Sequence, residues 1–151
     1  MKQWITIFLS LFTFVGCVSL PEQWNGSLWL TNNTGFGVYI ETNVISVTPP
    51  VGRPEGTFYL EPAASVEIAS SECFTDKSLI TTESMITNVE DAYLTVSFLI
   101  EGEIVSNTWK CAERNDGGRQ FFRLEDCELL EGPGDSRKHV NNLVYRFLVE
   151  E

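Results

Sequence analysis

Beyond residue 20, the chain consists of short β-prone runs separated by turn-forming residues, and this pattern constrains its fold more than any other feature. The clearest case is a pair of runs rich in aromatic and β-branched residues, 92–100 and 103–109, joined by Glu101-Gly102. Two such runs joined by two turn residues are typical of a β-hairpin. Convincing apolar stripes with the 3.6-residue period of a helix are missing from this region. The pattern therefore predicts a β-sheet protein.

Other runs predict further strands, at 27–31, 36–42, 57–60, 65–69, 119–124 with a continuation at 127–130, and 143–149. We expect the first two to form a hairpin around Asn32-Asn33-Thr34-Gly35 and the last to pair within a sheet. Residues 70–88 are predicted to be a loop with one short strand near Leu79-Ile80, and a helix at 121–130 is the less favoured alternative. Short strands and frequent turns together predict one all-β domain, an antiparallel β-sandwich or small barrel.

The first 20 residues differ from the rest in being apolar and almost uncharged. Lys2 is their one charged residue, an apolar run covers 4–15, and small residues follow at Gly16, Cys17 and Ser19. A cation, a short apolar stretch and a small-residue exit are the pattern of a secretory signal. The segment therefore predicts an exported protein whose signal helix precedes the folded domain.

The end of this segment, Phe14-Val15-Gly16-Cys17, resembles the lipobox of bacterial lipoproteins, in which an apolar residue, a small residue and Gly or Ala precede an obligatory cysteine. The resemblance implies that the thiol of Cys17 receives a diacylglyceryl group, that residues 1–16 are removed as signal peptide, and that the new amino terminus is acylated. Residues 17–26 would then be a lipid-anchored tether and residues 27–151 the β-rich globular domain.

The resemblance covers only the first 17 residues and departs from the family pattern at Phe14, where Leu is usual, and at Val15, where a smaller residue is common. Two alternatives stay open: an ordinary signal cut after Ser19, and an uncleaved anchor over residues 4–20, near the lower length limit for a spanning helix. In the lipoprotein family, a residue other than Asp after the cysteine, here Val18, implies the outer membrane, facing the periplasm.

The charge balance is acidic, with 10 Lys and Arg against 21 Asp and Glu and a formal net charge of −11. Lys2 would leave with the signal and make the exported part more acidic still. Such a surface repels nucleic acid and anionic lipid headgroups, so no nucleic-acid partner is predicted. It favours a cationic partner, although many exported proteins are acidic only for solubility.

Three cysteines remain if Cys17 carries lipid, and export places them in an oxidising compartment where disulfides form. We predict a Cys111–Cys127 disulfide, because both residues flank what reads as one hairpin region. Pairing of Cys73 with either of the others is the alternative, since sequence does not fix connectivity. Neither a CxxC motif nor a Cys/His cluster is present, so no metal site is predicted.

The sequence contains no catalytic motif. Its single histidine, His139, lies in a polar loop, and no GxSxG nucleophile elbow is present. Adjacent carboxylates occur at Glu90-Asp91 and Glu125-Asp126, but neighbouring acids in turns usually point into water. Neither a cofactor nor an enzymatic activity is predicted.

The sequence therefore predicts a membrane-anchored envelope lipoprotein, held in the bilayer through acylated Cys17. Its β-domain would be a non-enzymatic binding or assembly module for another envelope protein. The alternative is an acidic inhibitor or ligand-binding lipoprotein that acts on a cationic envelope enzyme, by charge complementarity.

Overall fold

A computed structural model describes residues 21–54, 56–134 and 139–150. The strands of this part are β1 (Gln23–Asn32), β2 (Val38–Thr42), β3 (Thr57–Leu60), β4 (Ser65–Ser70), β5 (Tyr93–Ile100), β6 (Glu103–Lys110), β7 (Glu128–Pro133) and β8 (Val140–Val149). They form two four-stranded sheets: sheet A, in the order β4-β1-β8-β7, and sheet B, in the order β3-β2-β5-β6. The predicted all-β, single-domain sandwich is confirmed.

The core between the sheets follows from period-two alternation along the strands. Leu28 and Leu30 of β1 are fully buried, and so are Val38 and Ile40 of β2. In a strand, successive side chains point to opposite faces, so each alternating run supplies one apolar face. Sheet A and sheet B bury these faces against each other, as expected for a sandwich.

The first and last strands of the domain are neighbours. β1 pairs with β8 in parallel over its whole length, from Gln23↔Val140 to Asn32↔Val149. On its other side β1 pairs antiparallel with β4, whereas β2 belongs to sheet B. The predicted hairpin of residues 27–31 and 36–42 is therefore wrong, because the chain crosses between the sheets at the turn. β8 is a paired strand within a sheet, as predicted. Its parallel pairing with β1 was not predicted.

Two segments predicted as strands are not strands. Residues 119–124 form turns that lead into a 3₁₀ helix at Leu124–Asp126, and Phe121 and Phe122 within them are fully buried. The Phe121 ring meets that of Phe147 edge-on, with centroids 5.6 Å apart. These aromatic side chains are buried although they belong to an irregular segment, so the β-prone run that follows the turn gave a false strand signal.

The segment at 70–88 contains a 3₁₀ helix at Lys77–Leu79 and a one-turn helix α1 (Thr82–Met85) in place of the predicted short strand. Thr81 caps α1 through a capping box with Ser84, which favours the helical turn locally. At the amino-terminal end, β1 already begins at Gln23. The folded domain therefore includes residues 23–26, which the sequence assigned to the tether.

Asn32 fixes the end of β1 to its surroundings and is fully buried. Its Nδ2 donates to the carbonyls of Phe36, at 2.8 Å, and Leu60, at 3.0 Å. Its Oδ1 accepts from the backbone N–H of Thr34 at 3.1 Å and from the Thr34 hydroxyl at 2.7 Å. A side-chain amide has two donor hydrogens and two acceptor lone pairs, so all four are used here. The residue ties sheet A to the β1–β2 crossover and to β3.

Candidate functional site

Sheet B carries a two-stranded extension beyond its main body. β2 pairs with β5 only as far as Tyr39↔Ser97, whereas β5 and β6 remain paired to Ile100↔Glu103. Residues 98–105 therefore form a ribbon without a third strand, which we call the arm. Its two-residue turn holds Glu101 at φ 50° and Gly102 at φ 87°, the positive values that a type I′ hairpin turn requires. This hairpin is the one that the sequence predicted.

The arm exposes large apolar side chains on both of its faces. Leu99 and Ile104, a cross-strand pair on one face, are 65% and 76% exposed. Val105, on the other face, is 50% exposed, and Ile100 is also exposed. Scattered single apolar residues are normal on protein surfaces, but contiguous apolar groups mark interaction sites. The arm is therefore the first candidate site.

The arm lies at the end of the sandwich opposite to the start of β1. The β1 strand runs for about 30 Å from Gln23 to Asn32, at ~3.3 Å per residue. At its far end, the Asn32 amide binds the carbonyl of Phe36, whose ring contacts Phe98 of the arm with centroids 5.8 Å apart. The amino-terminal approach to the domain and the arm are thus separated by the length of the sheet.

Strand β6 is a free edge, and the register shows which of its backbone groups point outward. In a two-residue hairpin, the flanking residues exchange both backbone hydrogen bonds, and hydrogen-bonded and non-hydrogen-bonded pairs then alternate. Cys111 N–H donates to the Ala92 carbonyl at 2.8 Å, so this pair is hydrogen-bonded. It lies an even number of residues from Ile100↔Glu103, as the alternation requires if that pair is hydrogen-bonded too. Outward-pointing N–H and C=O groups therefore belong to Ile104, Ser106 and the residues at 108 and 110.

Close side-chain contacts agree with this assignment. Thr95 and Thr108 hydroxyls are 2.9 Å apart, and those of Ser97 and Ser106 are 2.8 Å apart. Non-hydrogen-bonded pairs bring side chains closer together than hydrogen-bonded ones do. Within the described part of the chain, no group is bonded to the outward backbone atoms of β6.

The edge of β4, by contrast, is covered by the chain itself. Ser70 N–H donates to the Ser46 hydroxyl at 2.8 Å, and its carbonyl accepts from Thr48 N–H at 3.1 Å. Arg53 reaches over the same edge and donates to the Ile68 carbonyl at 2.5 Å. Such covering is how natural sheets prevent pairing with other chains.

The two remaining edges are blunted in other ways. β3 has 4 residues, and the carbonyl of its last residue, Leu60, is bonded to Asn32. β7 ends in Pro133, which has no N–H, and its Glu131 pairs with Lys77 at 3.2 Å. β6, with 8 residues, is thus the long edge that the described chain leaves open.

A slot of about 330 Å³ runs beside the inner face of β6. Its walls include Phe98, Asn107, Trp109, Arg119 and Phe147. The Arg119 guanidinium lies 4.3 Å from the centroid of the Phe147 ring, and Trp109 Nε1 donates to the Arg119 carbonyl at 3.1 Å. The walls combine the aromatic rings of Phe98, Trp109 and Phe147 with the polar groups of Asn107, Arg119 and Glu150. An apolar side chain presented alongside β6 would contact these rings.

A larger cleft of about 630 Å³ lies between α1 and β7. Its arginines are already paired, Arg114 with Glu83 and Arg123 with Asp126, the latter at 2.6 Å. Burial alone would raise the pKa of Asp126, but the backbone N–H of Gln120 and the Arg123 guanidinium together outweigh burial and hold this pKa below its ordinary value. These ion pairs neutralise the two arginines that line the cleft.

The predicted site residues are not brought together. Cys17, the predicted lipid attachment point, lies outside the described residues. Cys111 and Cys127 are free thiols, so the predicted disulfide between them is wrong, and Cys73 is also free. Cys111 is fully buried after β6, and the Cys127 thiol faces the carbonyls of Phe121 and Arg123, at 3.9 and 3.8 Å. The predicted pairing failed because 111 and 127 do not flank a hairpin.

These thiols differ in reactivity, and this gives a first prediction. Burial raises the pKa of the Cys127 thiol to about 12, and burial also raises the pKa of Cys111. Thiolate is the reactive form, so at pH 8 Cys127 should hold roughly a thousandfold less of it than an ordinary thiol. We expect iodoacetamide to label Cys73 in the native protein and to label Cys111 and Cys127 only after unfolding.

Peptide mass spectrometry after labelling checks this result. The control is Cys73→Ser, which should take up no label at these positions while native and should be labelled only at Cys111 and Cys127 once it is unfolded. Because the native pKa of Cys127 is raised, its labelling rate should increase as pH rises toward 12. Failure of Cys111 and Cys127 to react in the unfolded, unreduced protein would show a disulfide and contradict the structure.

His139 is a turn residue with φ 53°, and its carbonyl accepts from the N–H of Gln23 at 2.9 Å. Across residues 21–54, 56–134 and 139–150, no group of His, Cys, Asp and Glu side chains is arranged to hold a metal ion. In the same ranges, no helix has the length and apolar character needed to cross a membrane. Comparison with protein-family models, curated proteins and solved structures gives no significant match to this chain.

The sequence reading missed the arm and the free edge as functional features. A signal was present in the adjacent apolar pairs Leu99-Ile100 and Ile104-Val105, which break the alternation of a half-buried strand. A strand with apolar side chains on both faces is either buried on both faces or exposed at a surface that binds another molecule. Only the sheet order shows that β6 is an edge and that the second case applies.

Proposed function

We propose that this protein is an envelope lipoprotein, anchored through Cys17, whose β-domain binds another envelope protein through the arm. The observation that carries the proposal is the exposed apolar surface of the arm at the end of the domain opposite to β1's beginning. A tether that enters at Gln23 leaves the arm directed away from the anchoring bilayer. The geometry thus favours a protein partner over lipid as the occupant of this surface.

Charge supports the same choice. The hairpin from residue 93 to residue 109 contains no Lys or Arg, and Glu101 and Glu103 stand at its tip. An acidic tip is repelled by anionic headgroups and is attracted to a basic partner surface. The second candidate, an acidic inhibitor of a cationic enzyme, draws on the same acidic tip. It differs in the partner, a soluble basic enzyme rather than a component of an envelope complex.

A photo-cross-linking experiment tests the proposal. A benzophenone amino acid in place of Leu99 should give, on irradiation of cells, one discrete adduct with another protein. Adding Ile104→Glu should reduce this adduct at least about tenfold, because a charge in the apolar centre of an interface costs one or more hot-spot contacts. Val51→Glu is the matched control, since Val51 is 96% exposed and lies outside the arm.

Mass spectrometry of the adduct separates the outcomes. A stable membrane or periplasmic complex component supports the assembly role, and a soluble basic enzyme supports inhibition instead. Phospholipid adducts alone, or an adduct that survives Ile104→Glu unchanged, would remove the basis for the arm as a protein-binding surface.

A further inference from the structure

We infer that the partner binds by strand addition, with an extended segment pairing along β6 as a fifth strand of sheet B. This inference rests on the proposed function and specifies its mode and the chemistry of the partner. The segment we expect alternates apolar side chains with others and carries Lys or Arg where it passes the acidic tip.

The first support is the contrast between the edges. Chain segments or side chains cover the backbone groups of β4, and β3 and β7 are short, bonded or closed by proline. Natural sheets protect edges because unpaired N–H and C=O groups recruit other strands. β6 is the longest sheet edge that the described chain leaves without a covering segment, and such an edge can dock a strand.

The second support is the backbone register of β6. Ile104, Ser106 and Thr108 direct their N–H and C=O groups outward, in a row on a strand of 8 residues. An added strand would find the backbone groups that a sheet neighbour needs, without any rearrangement of the β5–β6 ladder. Backbone pairing supplies affinity in this mode, and side-chain pockets supply specificity.

The third support is the pocket beside the edge. Side chains on the inner face of an added strand would lie next to Val105 and reach the slot formed by Phe98, Trp109 and Phe147. Side chains on the other face would meet Ile104, whose cross-strand partner Leu99 lies one strand further away, on β5. The added strand would bury apolar surface on both faces, which accounts for the exposed apolar residues on both sides of the arm.

Charge selects the partner over a second copy of this chain. Each copy carries a formal net charge of −11, so association of two copies would bring two strongly acidic domains together. Like charges placed opposite each other in an interface are destabilising. A cationic strand satisfies the same backbone groups and gains attraction to Glu101 and Glu103.

The decisive variants differ at one position. Ser106→Pro removes an outward N–H and leaves the hydrogen bonds to β5 in place, because proline is tolerated on an edge strand when its nitrogen faces solvent. Ser106→Ala removes only the hydroxyl that contacts Ser97. Near-ultraviolet circular dichroism and the thermal midpoint show whether each variant keeps the native fold.

The probe is a phage-displayed library of random dodecapeptides, selected on the full-length lipidated protein in detergent micelles. We expect the selected peptides to alternate apolar residues and to carry Lys or Arg near one end. The tightest of them should bind Ser106→Ala within about twofold of wild type and Ser106→Pro at least about tenfold more weakly, since one to two backbone hydrogen bonds are lost. Amide hydrogens of Ile104, Ser106 and Thr108 should exchange more slowly in wild type with peptide bound.

Several results would overturn strand addition: selection that yields no binder, equal binding to the proline and alanine variants, or unchanged exchange at the β6 amides. Dimers that disappear in Ser106→Pro would show that the edge binds a second copy instead. The wild-type exchange measurement does not depend on the proline variant, so misfolding of that variant leaves the test intact. Loss of the cellular adduct in Ile104→Glu with its retention in Ser106→Pro would leave the proposed function standing without this mode.

Discussion

We expect the Cys17→Ala variant to accumulate as an unprocessed precursor without lipid and to disappear from the outer-membrane fraction. In lipoproteins the signal is removed only after the cysteine thiol is modified, so a chain without this thiol should keep residues 1–16. The wild type should lose these residues and gain the mass of its acyl chains. Two or more chains, each contributing ~0.8 kcal/mol per buried CH₂, are enough for stable anchoring.

Cell fractionation and intact-protein mass spectrometry measure this outcome, and Cys73→Ala is the matched control. That variant also removes one cysteine, yet it should be processed, lipidated and localised like the wild type. An amino terminus at Leu20 in both proteins would show an ordinary signal cut after Ser19. A wild type that retains residues 1–16 and carries no lipid would show an uncleaved anchor. Either result contradicts the lipoprotein assignment.

Asn32→Leu should lower the free energy of unfolding by about 3 kcal/mol or more. The amide of Asn32 donates to the carbonyls of Phe36 and Leu60 and accepts from Thr34, all at or near the buried end of β1. Leucine matches its size but cannot replace these bonds. Each buried polar group left without a partner costs ~1–3 kcal/mol, and at least the Leu60 carbonyl and Thr34 N–H lose theirs.

Guanidinium chloride denaturation followed by tryptophan fluorescence provides the measurement. Asn33→Leu is the neighbouring control, because Asn33 is exposed and the hydrogen bond described for it comes from its backbone. We expect this control to stay within about 0.5 kcal/mol of wild type, as surface substitutions usually do. If both variants unfolded at the same denaturant concentration, the buried amide network would not be a significant source of stability.

The sequence was sufficient where local rules decide the structure. Alternation gave β2 and β8, and the Glu101-Gly102 pair gave the β5–β6 hairpin together with its turn. The parallel contact of β1 with β8 is not a local property, because it joins residues more than a hundred positions apart. Nothing in the sequence of either strand indicates its partner. The prediction therefore paired β1 with the next strand along the chain, β2, and this was wrong.

The site followed the same division. The apolar residues of the arm were visible in the sequence. Their exposure, however, depends on where β2 begins: it starts at Val38, so none of its residues lies beside Leu99. Phe121 and Phe122 read as strand residues because they are aromatic and adjacent to a turn. Their rings are buried against each other, and that of Phe121 also packs on Phe147. This packing depends on the assembled sheets, which the local sequence does not show.

The parallel pairing of β1 and β8 also determines how the domain would resist mechanical load. A pull between an anchor at the start of β1 and a partner held on the arm acts along the β1 axis, because the two attachment points lie at opposite ends of the sandwich. The hydrogen bonds along the ten residues of β1 would then bear the force together in shear, instead of opening one after another. A connector between a membrane and a moving or stretched assembly would benefit from this geometry.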